Sequence, residues 1–208
     1  MTPSAPPPAP LPVGRVPRQA LVFSGHMADT PGRKVPRFPA AMWPAARTAI
    51  DAALERLAAG PDDLALTQGA AGGDLLFAEA CAARGVPLQF LLPLPEPRFI
   101  ATSVAPSDGD WVARYQALRP HLLHPPAILA PDPSPGDPDD AFERCNRWLL
   151  DTALGSGSDA MQLIGLWNGE TGDGRGGTAH MMDEARRRGG QVTWIDTRRL
   201  ADGGAGGA

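Results

Sequence analysis

Cysteine is nearly absent: the 208 residues hold only Cys81 and Cys145, far apart and without further cysteines to pair with. A structural zinc site needs closely spaced ligand pairs and a disulfide framework needs several cysteines, so neither is indicated, and a reducing cytoplasm is the simplest setting. Positive charge is not in excess either. Nineteen Lys and Arg stand against 23 Asp and Glu, a formal net charge of −4, which weighs against a protein that grips a nucleic-acid backbone. Aromatic residues are sparse, at 6%, and form no aromatic–basic stripe on which single-stranded bases would stack. No run approaches the roughly 18 apolar residues that span a bilayer. The sequence also lacks GxxxxGK[ST] and GxGxxG, so neither P-loop hydrolysis of ATP nor a conventional NAD site is expected.

What is present describes one globular domain. Hydrophobic residues make up 43% and charged residues 20%, and the length suffices for one well-buried core and little more. Residues 1–19 are proline-rich, with neither a basic nor a continuous apolar segment, and read as a flexible arm and not a signal peptide. Residues 198–208 read as a flexible tail, leaving 20–197 as the folded domain.

Within it, short apolar runs alternate with helical patterns. Residues 20–24 predict a first strand, and Ile50, Ala53, Leu54 and Leu57 recur at helical spacing over 41–58 before Gly60 and Pro61 stop the chain. LALT, the turn QGAAGG, a helix to about Arg84 capped by Asp74, and a strand over 88–92 make a βαβ unit. Residues 93–107, with four prolines, read as a loop; a short helix carries Trp111, Arg114 and Tyr115, AILA reads as a strand, and a helix covers 139–154. MQLIGLW, the glycine loop, a helix over 178–188 and QVTWI complete the pattern. The expected fold class is therefore α/β, a Rossmann-like three-layer sandwich with a mainly parallel sheet.

The glycine-rich turns carry the chemistry. In QGAAGGD, Gly69, Gly72 and Gly73 allow close approach of a ligand to main-chain amides at a helix start, where the dipole favours an anion; Asp74 caps that helix or accepts from a ribose. In GDGRGGT, Gly176 and Gly177 free the backbone, Thr178 supplies a hydroxyl, and Arg175 adds a charged contact. Ser24, Gly25 and His26 end the first strand and reach the same crevice, as does Asn168 after the penultimate strand. Arg33, in a basic loop with Lys34 and Arg37, either closes over an anion or, the plainer reading, belongs to a solvated loop. Trp111 and Tyr115, one helical turn apart, fill a helix–sheet seam more readily than they stack on a base. His121 and His124 have no third ligand in view, so no metal site is expected.

Three stretches carry a resemblance: LVFSGHMAD, LALTQGAAGGDLLFAEACAARGVPLQFLLPLP and LIGLWNGETGDGRGGTAHMMDEARRRGGQVTWI. The chain resembles the SLOG group of Rossmann-like proteins, related to the LOG-type phosphoribohydrolases labelled lysine-decarboxylase-like and to the DNA-processing protein DprA. LOG enzymes release the base from nucleoside monophosphates through a PGGxGTxxE phosphate motif with an arginine and a glutamate. Here Gly176, Gly177 and Thr178 match the phosphate loop, whereas His180 and Met181 stand where the catalytic acid belongs and Glu184 is displaced. The resemblance thus implies a phosphate site and favours sensing, or a different reaction, over N-glycoside hydrolysis. FSGH, PRFP, the stretch Trp111 through Tyr115 and WNG…GGT look closer still to a bacterial branch of the group whose expected ligand is a nucleotide-derived signal.

The leading expectation is a protein that binds a nucleotide or nucleotide-derived phosphate ligand as a sensor or carrier, without a cofactor, at no membrane, as a homodimer. The enzyme alternative is an N-glycoside hydrolase acting on a nucleoside monophosphate, with Asp74, or less favourably Glu79, as the carboxylate and Arg33 or Arg98 assisting the phosphate. The third is a module that binds protein or single-stranded nucleic acid.

Overall fold

A computed structural model describes residues 16–130, 138–170 and 177–202. Six strands, β1 (Gln19–Gly25), β2 (Leu64–Thr67), β3 (Leu88–Leu92), β4 (Ala127–Ile128), β5 (Ala160–Trp167) and β6 (Gln191–Asp196), make one parallel sheet in the order β4-β3-β2-β1-β5-β6. β1, β2 and β3 are buried and largely apolar because both faces of the sheet are covered, with Gln89 the polar residue inside β3. Leu21, Phe23, Ala65 and Phe90 point to a layer that holds α1 (Trp43–Arg56), α2 (Gly73–Ala83) and α4 (Trp111–Leu118). Ala20, Val22, Leu64, Leu66 and Leu163 point the other way, onto Cys145, Trp148 and Leu149 of α5 (Pro138–Gly155) and Met181 and Met182 of α6 (Thr178–Arg187). The α/β three-layer arrangement read from the sequence is the one observed. Among the described residues, no helix is long and apolar enough to cross a membrane.

Strand order places the site. From β1 the chain moves outward through β2, β3 and β4, then returns to lay β5 on the opposite side of β1. The connections leaving β1 and β5 diverge, opening a crevice beyond the carboxyl ends of those two strands, the usual ligand position in an open α/β sheet. On the way, β5 brings Gly165 under α6, where a Cβ would lie 2.7 Å from Met182 Sδ; its absence lets the helix settle against the sheet.

Three sequence expectations need revision. Residues 93–107 are not a plain loop: α3 (Glu96–Phe99) and a π turn, Ile100–Val104, run through them. Pro97 sits in the first turn of α3, where its missing N–H has no partner to lose. AILA contributes only the two-residue β4. The expected tail begins too early, since α7 (Thr197–Asp202) follows β6 directly, with Thr197 and Leu200 packed inward.

Candidate functional site

Side chains alternate along β1, so Ser24 shares the face of Val22, toward α5 and α6. Its strand partner is Gly165 on β5, which leaves room above the pair for the first residue of α6. That residue is Thr178, 6% exposed, and the hydroxyls of Ser24 and Thr178 share a hydrogen bond at 3.1 Å. Gly177, the N-cap, is extended (φ −78, ψ 164) and accepts from the Met181 amide through its carbonyl. The first turn of α6 has no acidic residue and no side-chain cap. Its amides and dipole therefore face the crevice with no carboxylate of their own turn opposing an anion. Arg175 and Gly176, the other two residues expected here, lie outside the described residues.

His26 and Asn168 are brought together across the same edge. The His26 amide donates to Leu166 O at 3.0 Å, and the Asn168 amide donates to His26 Nε2 at 3.1 Å. Nε2 is thus the lone-pair nitrogen in this arrangement, an acceptor already engaged by a main-chain amide. Asn168 also closes a small clasp with Glu170: its Nδ2 donates to Glu170 Oε2 at 3.0 Å, and the Glu170 amide donates to its Oδ1 at 3.1 Å. Both residues line the joint between β1 and β5 and hold it in shape.

The first glycine turn is largely spoken for by the protein itself. The amides of Gly69 and Ala70 donate to Asp74 Oδ2 at 3.1 and 3.3 Å, that of Ala71 to Ser103 O, and that of Gly73 to His26 O. The expected cap is corrected here: Gly72 is the N-cap of α2 and Asp74 lies inside the helix, its carboxylate folded back onto the turn before it. Gly72 has φ 98, and a Cβ there would stand 2.4 Å from Ala28 N; the close approach is between two pieces of backbone, where a ligand was anticipated. Gly73 and Gly25, by contrast, make room for the side chains of Phe23 and Leu166. Asp74 is 7% exposed. Burial pushes its carboxyl up to about 6, against the Thr67 hydroxyl and the amides of Ala70, Gly69 and Gln68, which hold it down.

The remaining candidates lie apart from this edge. Arg114 donates twice to the Glu79 carboxylate, both at 2.7 Å, and Arg47 adds a third contact at 3.4 Å; Glu79 thereby joins α2 to α4 and α1. Arg33 donates to Val35 O and pairs with Asp29 at 3.4 Å, within the loop after β1. Trp111 and Tyr115 are buried, at 1% and 0% exposed, and serve the core. Cys81 and Cys145 are free and buried, and burial raises both thiols, which leaves little thiolate for nucleophilic work.

Two residues of the crevice escaped the sequence reading. Gln68, just after β2, donates through Nε2 to Asn146 Oδ1 on α5 at 2.8 Å. Gln68 opens the glycine turn and was legible only as part of it. Asn146 is a polar position on the buried side of an amphipathic helix, a signal that was available. Comparison of the chain with models of known protein families and with curated proteins yields no match.

Proposed function

We propose that the protein binds a nucleotide or nucleotide-derived phosphate ligand in the crevice between β1 and β5, as a sensor or carrier. The observation that carries this reading is the Ser24–Thr178 hydroxyl pair at the acid-free start of α6, set at the point where the strand order reverses. The phosphate would take the Thr178 hydroxyl and the first amides of α6. The resemblance to the SLOG group supports the same place through Gly177 and Thr178. Binding is favoured over base release because the two carboxylates considered for catalysis are already engaged, Asp74 by turn amides and Glu79 by arginines.

Gly177→Asp tests this directly. The backbone at Gly177 is one that any residue adopts, and aspartate is itself a favoured N-cap, so the fold should survive. The new carboxylate would occupy the anion's approach and weaken binding by about 2 kcal/mol, roughly thirtyfold. Calorimetric titration with nucleoside monophosphates and cyclic nucleotides measures the loss, and circular dichroism checks the fold. A folded variant with undiminished affinity removes the phosphate site from α6. Chromatography for free base, against a protein-free control, separates carrier from hydrolase.

A further inference from the structure

One strand away from Ser24, on the same face of the sheet, stands a polar pair that a phosphate at α6 does not use. Val22 is level with Leu66, and both point toward α5 and α6. Two residues further on, Ser24 of β1 and Gln68, the residue just past the end of β2, fall on that same face by strand alternation. Their contacts agree: Ser24 meets Thr178 of α6, and Gln68 meets Asn146 of α5. The crevice therefore has two polar stations side by side, one of hydroxyls and one of amides. Adjacent strands are about 4.8 Å apart, so one small ligand can reach both.

The amide pair is built for reading. Asn146 is 9% exposed, its Oδ1 holding the Gln68 amide in place at 2.8 Å. That is the hydrogen bond of the Gln68 side chain among the described residues, and it leaves Oε1 and a second Nε2 hydrogen for a ligand. A side-chain amide held in a fixed plane offers an acceptor beside a donor, the geometry with which glutamine reads a complementary edge in two parallel hydrogen bonds. Holding the amide beforehand lowers the ordering cost of binding.

We propose that Gln68 contacts, and Asn146 positions Gln68 against, the end of the ligand remote from its phosphate, a planar group with an adjacent donor and acceptor. A nucleobase edge and a carboxamide share this chemistry. The proposal rests on the phosphate reading of Thr178 and Gly177, and its test keeps the two apart.

Wild type, Gln68→Met, Asn146→Leu and Thr178→Val are titrated with ribose 5-phosphate, which lacks such an end, and with AMP, GMP, CMP, UMP and nicotinamide mononucleotide. At least one of the latter should bind wild type about tenfold tighter than ribose 5-phosphate, as two added hydrogen bonds would give. Gln68→Met should bring that ratio to within about twofold while leaving ribose 5-phosphate affinity unchanged, and Asn146→Leu should lower it part of the way. Thr178→Val should weaken every ligand together. Preference for nicotinamide mononucleotide marks a carboxamide, and preference among the others marks a base edge. A wild-type ratio near one, or a ratio that both Gln68→Met and Asn146→Leu retain, overturns the proposal and leaves the phosphate site standing. Failure of wild type to bind any of the six compounds overturns the phosphate reading, and this proposal with it.

Discussion

Gly72→Ala is expected to destabilise the protein by about 4 kcal/mol, a large share of what holds a domain of this size together. Two penalties combine. The backbone at Gly72 has φ 98 and ψ −125, a region that L residues enter at a cost of about 1–3 kcal/mol. The added Cβ would also stand 2.4 Å from Ala28 N and 3.0 Å from His26 O, backbone atoms that cannot rotate away. Relief requires separating the QGAAGG turn from the loop after β1, and that separation breaks the Ala28 N–Ala71 O and Gly73 N–His26 O hydrogen bonds. Gly32→Ala is the control, since Gly32 has φ 73 and nothing within 4 Å of its Cβ position; it should cost only about 1 kcal/mol. Urea unfolding of the two variants measures both. Equal losses would show that conformation alone, and not the approach of the two loops, makes Gly72 necessary.

The same residue shows what was legible and what was not. That Gly69, Gly72 and Gly73 make a tight strand-to-helix turn follows from sequence; that the tightness serves the loop of Met27 and Ala28 does not, because a glycine records a close neighbour without naming it. β1, β2, β3 and β5 announce themselves as apolar runs bounded by turns, and the core role of Trp111 and Tyr115 follows from their helical spacing. The neighbour of β5 is another matter. Its pairing with β1 sets the crevice, yet local patterning is the same whichever strand lies beside it. Ser24 and Thr178 could be suspected separately, 154 residues apart, but their contact depends on that pairing. Gln68 and Asn146 meet for the same reason, through a helix that crosses the sheet from outside the βαβ unit. Prolines misled where position mattered more than presence: Pro97 sits in the first turn of a helix that the count of prolines in 93–107 argued against.

Asp74→Asn is expected to change how stability depends on pH, and by an amount close to that of the glycine substitution. Burial pushes the Asp74 carboxyl up to about 6, whereas in the unfolded chain it titrates near the ordinary value of about 3.9. Between those two values the folded protein holds a proton that the unfolded chain has released, so the Asp74 contribution to stability falls as pH rises through this window. Below it both states are protonated and the residue imposes no penalty; above it the full penalty of about 3 kcal/mol applies. Asparagine does not titrate, and since both turn amides go to a single oxygen, Oδ2, its one carbonyl oxygen can accept them both. The stability of Asp74→Asn relative to wild type should therefore improve by about 3 kcal/mol between pH 3 and pH 8, whatever constant offset the substitution brings. Taking the difference between the two proteins removes the opposing contributions of Asp51, Glu184 and Asp196, which arginine partners hold below the usual range. Denaturant unfolding across this range gives the answer, and a gap independent of pH would mean that the carboxyl is not held up by its surroundings. The variant also divides the two functions: a carrier should bind its phosphate ligand at pH 8 at least as well after the substitution, having lost a nearby negative charge, while a hydrolase that uses this carboxyl should bind and no longer release base.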